Sequence, residues 1–323
     1  MKSAKLTDGK IQIIDVPLPK LEGKGALIKV FGCGLCGSDL VKIKHYSQHP
    51  EKEVILGHEV VGKIIEINSS YDFKKGDIVA LGHHYPCMEE TCEYCKNGSY
   101  SMCRTFKASN IYPAGFSEYI RVDENHLKYT VYKMNQDLKY DEMAFLEPLS
   151  CVIRAVRRAG FEYNKDNSKF SALVVGLGSI GYLTTQALKA FNVNAFGFDI
   201  MPERQKLAKF DKDKKYDVIF LTAGTSKAIK TALDYVIDGG KIVIFASVEN
   251  DISGFSNNEI YYRELSVIAS YSPAPIDLKL SSELINGKKI NVKGLSEYYR
   301  LDNLAQAVED SFNNKIYKAY IEI

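Results

Sequence analysis

The 323-residue sequence has no tryptophan, no tandem repeat, no low-complexity linker and no window approaching 18 uninterrupted apolar residues. The last of these excludes a membrane-spanning helix. Net charge is also nearly missing: 42 Lys+Arg against 40 Asp+Glu gives +2, with no arginine-rich run and no basic helix. A nucleic-acid partner is therefore not expected, since its phosphates demand a concentrated positive face. The opening MKSAKLTDGKIQIIDV has no apolar stretch of the length a secretory leader needs, so a soluble, cytoplasmic protein is expected. The lack of tryptophan beside 21 tyrosines reads as compositional drift rather than as a cofactor box.

What is present suffices for two domains. The length is about twice that of a typical domain, and 46% apolar with 25% charged residues is ordinary for a globular chain. Residues 1–130 read as short strands punctuated by glycine and proline: Lys10–Val16, Gly25–Phe31, Val60–Asn68, Asp77–Leu81 and Phe116–Val122. That texture predicts a small β-rich domain. From about Tyr140 the texture changes to strand–helix alternation, with strands at Ser171–Val175, Asn194–Phe198, Asp217–Leu221, Lys241–Phe245 and Ser266–Ala269. That order predicts a doubly wound parallel sheet with crossover helices, an α/β architecture. The tail from Ile290 returns to strand–helix–strand. The boundaries expected are 1–146 for the β-rich domain, 147–288 for the parallel-sheet domain and 289–323 for a return to the first.

Seven cysteines, an odd number, are clustered rather than spread, which in a long chain expected to be cytoplasmic points to metal ligation or reactive thiols rather than a disulfide frame. Cys87-x4-Cys92-x2-Cys95-x7-Cys103 offers four thiolates within 17 residues, enough for a closed, structural tetrahedral zinc. Cys36-Gly-Ser38-Asp39 and Gly57-His58-Glu59 supply a thiolate, an imidazole and a carboxylate from separate segments. Three ligands and one open position suit a catalytic zinc that polarises an alcohol oxygen. Ser38 is placed to relay the proton, and Asp39 to orient His58 through its second nitrogen. Read alone, a single histidine is more often structural, and Cys33-x2-Cys36 could also be a redox pair, although no thioredoxin-like βαβ context surrounds it. His83-His84 reads as an exposed loop pair, and Cys151 as a packed helix residue.

Gly176-Leu-Gly178-Ser179-Ile180-Gly181 fits G-x-G-x-x-G directly after a buried-type strand and at the start of a helix. The first glycine allows the turn, the second the approach of a pyrophosphate, the third close helix–strand packing. The helix N-terminus then offers free N–H groups to phosphate oxygens. Asp199, 18 residues past Gly181, can accept hydrogen bonds from both ribose hydroxyls and repel a 2′-phosphate. NAD is therefore favoured, while Arg204 keeps NADP open.

Together these segments resemble the zinc-dependent medium-chain dehydrogenase/reductase family, the alcohol, sorbitol and threonine dehydrogenase group, over nearly the whole chain and in the same order. Gly115-Phe-Ser-Glu-Tyr is similar to the family's G-G-F-A-E-Y segment, and Glu147-Pro-Leu-Ser150 to the junction of its polyol branch. The resemblance implies a GroES-like catalytic domain built from both chain ends and a Rossmann domain between them, with zinc and nicotinamide in the cleft. It implies Cys36 and His58 as zinc ligands, Glu59 as the ligand of sorbitol-type members, and Glu147 as the carboxylate that exchanges with Glu59 or water. Three departures stand out. The first gap in the cysteine lobe is four residues where the family usually has two. Val41 stands where a relay histidine is common, leaving His45 or water. The charged stretch between Arg204 and Tyr216 leaves little room for the usual third strand. The expected activity is reversible, zinc- and NAD-dependent oxidation of a secondary alcohol, a polyol, sugar or cyclitol, by a homodimer or homotetramer. Amino-alcohols of the threonine type and simple secondary alcohols are the alternative substrates. From a different class, the alternative is a non-catalytic nucleotide sensor that keeps the fold.

Overall fold

Short alternating strands and continuous β-branched strands become two separate sheets in the computed structural model, which describes residues 1–7, 9–46, 56–247 and 254–323. The chain divides into two compact units, Met1–Pro148 with Pro273–Lys288 and Val292–Ile323, and Leu149–Ser272 with Lys289–Asn291.

In the first unit the strand Gly25–Gly34 is central. It pairs antiparallel with Glu59–Asn68, with Tyr119–Asp123 and with the C-terminal strand Lys318–Glu322. Ile78–Leu81 and Val131–Lys133 extend the sheet on one side, and Ser296–Arg300 pairs parallel with Lys318–Glu322 on the other. Ala26, Ile28, Val30, Ile64, Val79, Leu81, Phe116 and Ile120 are wholly or almost wholly buried and form its core. The N-terminal hairpin Lys2–Thr7 and Lys10–Asp15 stands apart as a two-stranded sheet. Strands Lys2–Thr7 and Val131–Lys133 escape a sequence reading because each is short or lacks clear alternation.

The helix Pro275–Asn286 belongs to this first unit, so the chain returns at Pro273 rather than at 289. Its polar side chains are committed there. Ser281 Oγ donates to Leu146 O at 2.8 Å, Asn286 Oδ1 accepts from Asn135 N at 2.9 Å, and Tyr132 donates its hydroxyl to Pro275 O at 3.1 Å. The partners that decide its allegiance lie more than 130 residues away in the chain.

The second unit is a five-stranded parallel sheet in the order Ser266–Ala269, Val236–Ile244, Tyr216–Leu221, Ser171–Val175, Asn194–Phe198. The chain moves outward from Ser171–Val175 to Asn194–Phe198, then crosses to the opposite side of Ser171–Val175. Ligands of open α/β sheets bind where the order reverses in this way. Asn194–Phe198 is an edge strand, and the charged stretch after it forms only the short helix Pro202–Gln205 before Tyr216–Leu221. Leu173, Ile219, Leu221, Ala232 and Ile242 are buried between this sheet and its helices. Among the described residues, no helix is long and apolar enough to cross a membrane.

Two segments singled out in the sequence are locked together in the first unit. Gly57 has φ +81 and Gly115 N donates to Gly57 O at 2.9 Å. A Cβ at Gly57 would lie 2.7 Å from Phe116 N. Gly57→Ala therefore combines left-handed strain with a backbone clash and is expected to cost roughly 1–3 kcal/mol. Phe116→Ala, which empties a fully buried ring site, is expected to cost about 3–5 kcal/mol. Urea or thermal unfolding of both variants checks these values.

Candidate active site

Strand register assembles the first site. Gly34 pairs with Glu59 across the antiparallel ladder, so Cys36, two residues beyond Gly34, and His58, one residue before Glu59, arrive at the same end of the sheet. The ligand atoms of Cys36, His58 and Glu59 all lie within 4.8 Å of one another. His58 and Glu59 are buried and Cys36 is half-buried. A mixed set of one thiolate, one imidazole and one carboxylate fits a zinc ion that keeps a further position open. Glu59 is wholly buried, and its carboxylate supplies the set's one oxygen donor.

Asp39 ties the two ligand segments together. Fully buried in the helix Gly37–Lys44, it accepts from Cys36 N and from Gly57 N, both at 3.2 Å. Its Oδ1 lies 3.6 Å from His58 Nδ1 and 4.0 Å from Lys42 Nζ. Burial opposes its negative charge, but His58, Lys42 and the backbone donor Gly57 outweigh it and lower the carboxyl pKa below the ordinary range. For His58, burial likewise opposes protonation, yet Asp39 and Cys36 hold the imidazole well above its usual value. Ser38, in the first turn of the same helix, is exposed, as is Val41 one turn on.

Lys318, which sequence reasoning missed, completes this centre. It is buried on the C-terminal strand and donates to Glu59 Oε1 at 2.5 Å, with Oε2 in contact as well. Burial works against its ammonium, but Glu59, then Cys36 and Glu147, raise its pKa above the ordinary lysine value. The sequence signal was a lysine within a strand whose neighbours are all apolar or aromatic, Tyr317-Lys-Ala-Tyr-Ile. Glu147 is buried in the first turn of the helix Leu146–Arg158, within the field of Lys318. Its carboxylate is not among the atoms that converge with Cys36, His58 and Glu59. Cys33 is wholly buried in the central strand, and burial pushes its thiol up, away from the thiolate that a redox pair would use.

The pair His83-His84 is not an exposed loop pair. The His83 ring lies 4.5 Å from that of His58 and 4.0 Å from that of His84, which in turn lies 5.0 Å from Phe106. Both are half-buried. Burial, then the neighbouring imidazoles, pushes His83 well below its usual value, and burial brings His84 down to about 4. Strand Ile78–Leu81 leads both rings toward the buried His58, surroundings that favour their neutral forms.

The cysteine lobe forms a second group, Cys87, Cys92, Cys95 and Cys103. Sulfur separations of 3.6, 3.7 and 4.0 Å match the edges of about 3.8 Å expected for a tetrahedron with zinc–sulfur bonds of about 2.3 Å. They are far too long for disulfides. Met88, in the longer first gap, takes φ 58, and this left-handed turn lets Cys87 reach its partners. Burial raises the Cys103 thiol, but backbone N–H groups, that of Cys87 at 3.4 Å among them, bring it down to about 6.

In the second unit the glycine loop opens the helix Ser179–Ala190. Gly176 has φ +98, and a Cβ at Gly181 would run into Gly176 O, so both must be glycine. Over Gly178 the space is open, with Arg204 Nη1 3.8 Å from where a Cβ would be. Ser179 Oγ is buried at this helix start without a hydrogen-bond partner among the described residues. An open cradle, an orphan hydroxyl and the free N–H groups of a three-turn helix fit a dinucleotide phosphate. Asp199 is bound into the loop: Oδ2 accepts from Leu177 N at 2.6 Å and Oδ1 from Met201 N at 2.8 Å. Thr222, on the neighbouring strand end, braces the turn from 2.7 Å of Gly176 O.

Comparison with known proteins agrees with this geometry. Residues 22–133 match the alcohol dehydrogenase GroES-like domain. The sorbitol dehydrogenase of Bacillus subtilis (strain 168) is 28% identical over 361 aligned positions, covering 99% of this chain and 97% of its own. The galactitol 1-phosphate 5-dehydrogenase of Escherichia coli (strain K12) is 27% identical over 343 positions, covering 95% of each chain. The crystal structure of the Escherichia coli galactitol-1-phosphate dehydrogenase superposes with a TM-score of 0.84 at 25% identity, covering 100% of both chains. Residues 22–133 thus form an alcohol dehydrogenase GroES-like domain, and the likeness of the whole chain to these relatives supports a zinc-type medium-chain dehydrogenase of the polyol branch, an alcohol oxidoreductase.

Proposed function

We propose that this protein interconverts a secondary hydroxyl and a ketone on a polyol, sugar or cyclitol, with NAD as the hydride carrier. The observation that carries the proposal is the convergence of Cys36, His58 and Glu59 at one sheet end. A zinc ion bound by them would supply Lewis acidity, making an alcohol hydroxyl acidic enough to lose its proton near neutral pH. Cys36, His58 and Glu59 hold that ion, and Glu147 is the further carboxylate assigned to the centre. Asp39 fixes the helix start and the edge of His58, so the two ligand segments cannot drift apart. Ser38, exposed beside Cys36, passes the substrate proton to solvent. The polyol preference is supported by the relatives, whose names include sorbitol and galactitol 1-phosphate.

In the second unit Gly176, Gly178, Ser179, Ile180 and Gly181 cradle the pyrophosphate. Asp199 has lone pairs left on both oxygens for the ribose hydroxyls, and its charge disfavours a 2′-phosphate. Arg204, above Gly178, faces the phosphates. The cysteine lobe, with Cys87, Cys92, Cys95 and Cys103 all engaged, holds a second zinc in a structural role.

The purified chain is expected to carry about two zinc ions. Cys36→Ser should carry one fewer and lose turnover, assayed as NADH absorbance with a panel of polyols, while still binding NAD by calorimetry. Wild-type turnover in that variant would refute the role given to the centre. Asp199→Ala should weaken NAD by about tenfold or more, consistent with loss of charge-assisted hydrogen bonds worth roughly 1.5–3 kcal/mol, and should narrow the preference over NADP. An unchanged NAD to NADP ratio of kcat/KM would count against the ribose assignment.

A further inference from the structure

We propose that Gln205 is a positioning residue for the coenzyme: its side-chain amide stands in for a neighbouring strand at the sheet edge and so fixes Asp199 for the ribose. The inference rests on the ribose assignment above and deepens it. Strand Asn194–Phe198 is the edge of the parallel sheet. Asn194 N donates to Phe170 O at 3.1 Å and Phe198 O accepts from Gly176 N at 2.8 Å, so these residues bond inward. Alternation then turns the N–H and C=O of Gly197, and the N–H of Asp199, outward, where a further strand would pair with them. Among the described residues no strand lies beyond this edge.

The Gln205 side chain takes that place. Its Nε2 donates to Gly197 O and its Oε1 accepts from Asp199 N, both at 3.0 Å. A residue of a parallel neighbour makes the same pair of bonds, to one carbonyl and to the N–H two residues further on. The second Nε2 hydrogen goes to Ala208 O at 3.0 Å, and Lys209 O accepts from Gly197 N at 2.9 Å. These partners settle the orientation of the amide, since the reverse would set Nε2 against the Asp199 N–H. Gly197 lets the segment lie this close: a Cβ there would be 2.7 Å from both Ala208 Cβ and Leu177 Cδ2. The bonds form a ring, from Asp199 N to Gln205 Oε1, from Gln205 N to Met201 O at 2.9 Å, and from Met201 N to Asp199 Oδ1 at 2.8 Å. The other oxygen, Oδ2, accepts from Leu177 N at 2.6 Å. Gln205 thus anchors the backbone from which the carboxylate projects.

Calorimetric titration of the purified chain with NAD and with NADP tests this, read as the ratio of the two Kd values, NADP over NAD. Gln205→Met keeps the reach of the side chain and removes its amide. It is expected to weaken NAD and to lower the ratio about fivefold or more, within the range that one or two lost hydrogen bonds supply. A merely structural role would weaken both coenzymes alike and leave the ratio in place. The fall caused by Gln205→Met should also be at least about threefold larger with Asp199 present than in the Asp199→Ala background. A smaller fall, or a smaller difference between the two backgrounds, overturns the proposal. Gln205→Asn, shorter by one methylene, is read by the same criteria if the methionine variant does not fold. A ratio that Asp199→Ala leaves unchanged would overturn the ribose assignment and this inference together. A ratio lowered by Asp199→Ala but not by Gln205→Met would overturn only the inference.

Discussion

The antiparallel pairing of Gly25–Gly34 with Glu59–Asn68 is the constraint on which the rest of the first unit depends. A ladder fixes register to a single residue, because a slip by one would send every buried side chain to the wrong face. Here the fixed register sets Gly34 against Glu59. A thiol leaving one strand and an imidazole entering the other then meet without any loop having to fold onto the site. The donor atoms are carried by strand ends and a helix cap, which are stiffer supports than free loops.

Buried charge is the cost of this arrangement, and the structure offsets it locally. Asp39, Glu59, Glu147 and Lys318 are all buried in the first unit. Unpaired, each would be expensive to keep ionised. Two backbone N–H groups and His58 serve Asp39, while Lys318 serves Glu59. The rings of His83 and His84 stack beside His58, and burial disfavours their charged forms. The centre is thus a cluster of mutually paired charges rather than an isolated set of ligands.

The nucleotide unit shows how much of a doubly wound domain can be trimmed. Its sheet stops at Asn194–Phe198, with no strand beyond that edge among the described residues. The glycine loop is unaffected because it hangs on the central strand Ser171–Val175, flanked by parallel neighbours on both sides. Asp199 closes the loop from the end of the edge strand by accepting from Leu177 N, so this carboxylate shapes the cradle.

Local chemistry made much of this legible in the sequence. Four cysteines at short spacing, glycines after a β-branched strand, and Cys-Gly-Ser-Asp with Gly-His-Glu carry their meaning in residue type and order, because short-range geometry dictates which residues can turn, cap or ligate. The parallel-sheet strands were legible to within a residue or two for the same reason, except that Val236–Ile244 begins earlier than the apolar run suggests. Tertiary structure decided what depends on partners distant in the chain. Lys318 meets Glu59 across 259 residues. The helix Pro275–Asn286 joins the first unit through hydrogen bonds to Leu146 and Asn135. His83 and His84 turn inward because a neighbouring strand end presents His58. No periodicity encodes such contacts: a lone lysine in an apolar strand, or two histidines before a cysteine, acquires its role only when the fold closes around it.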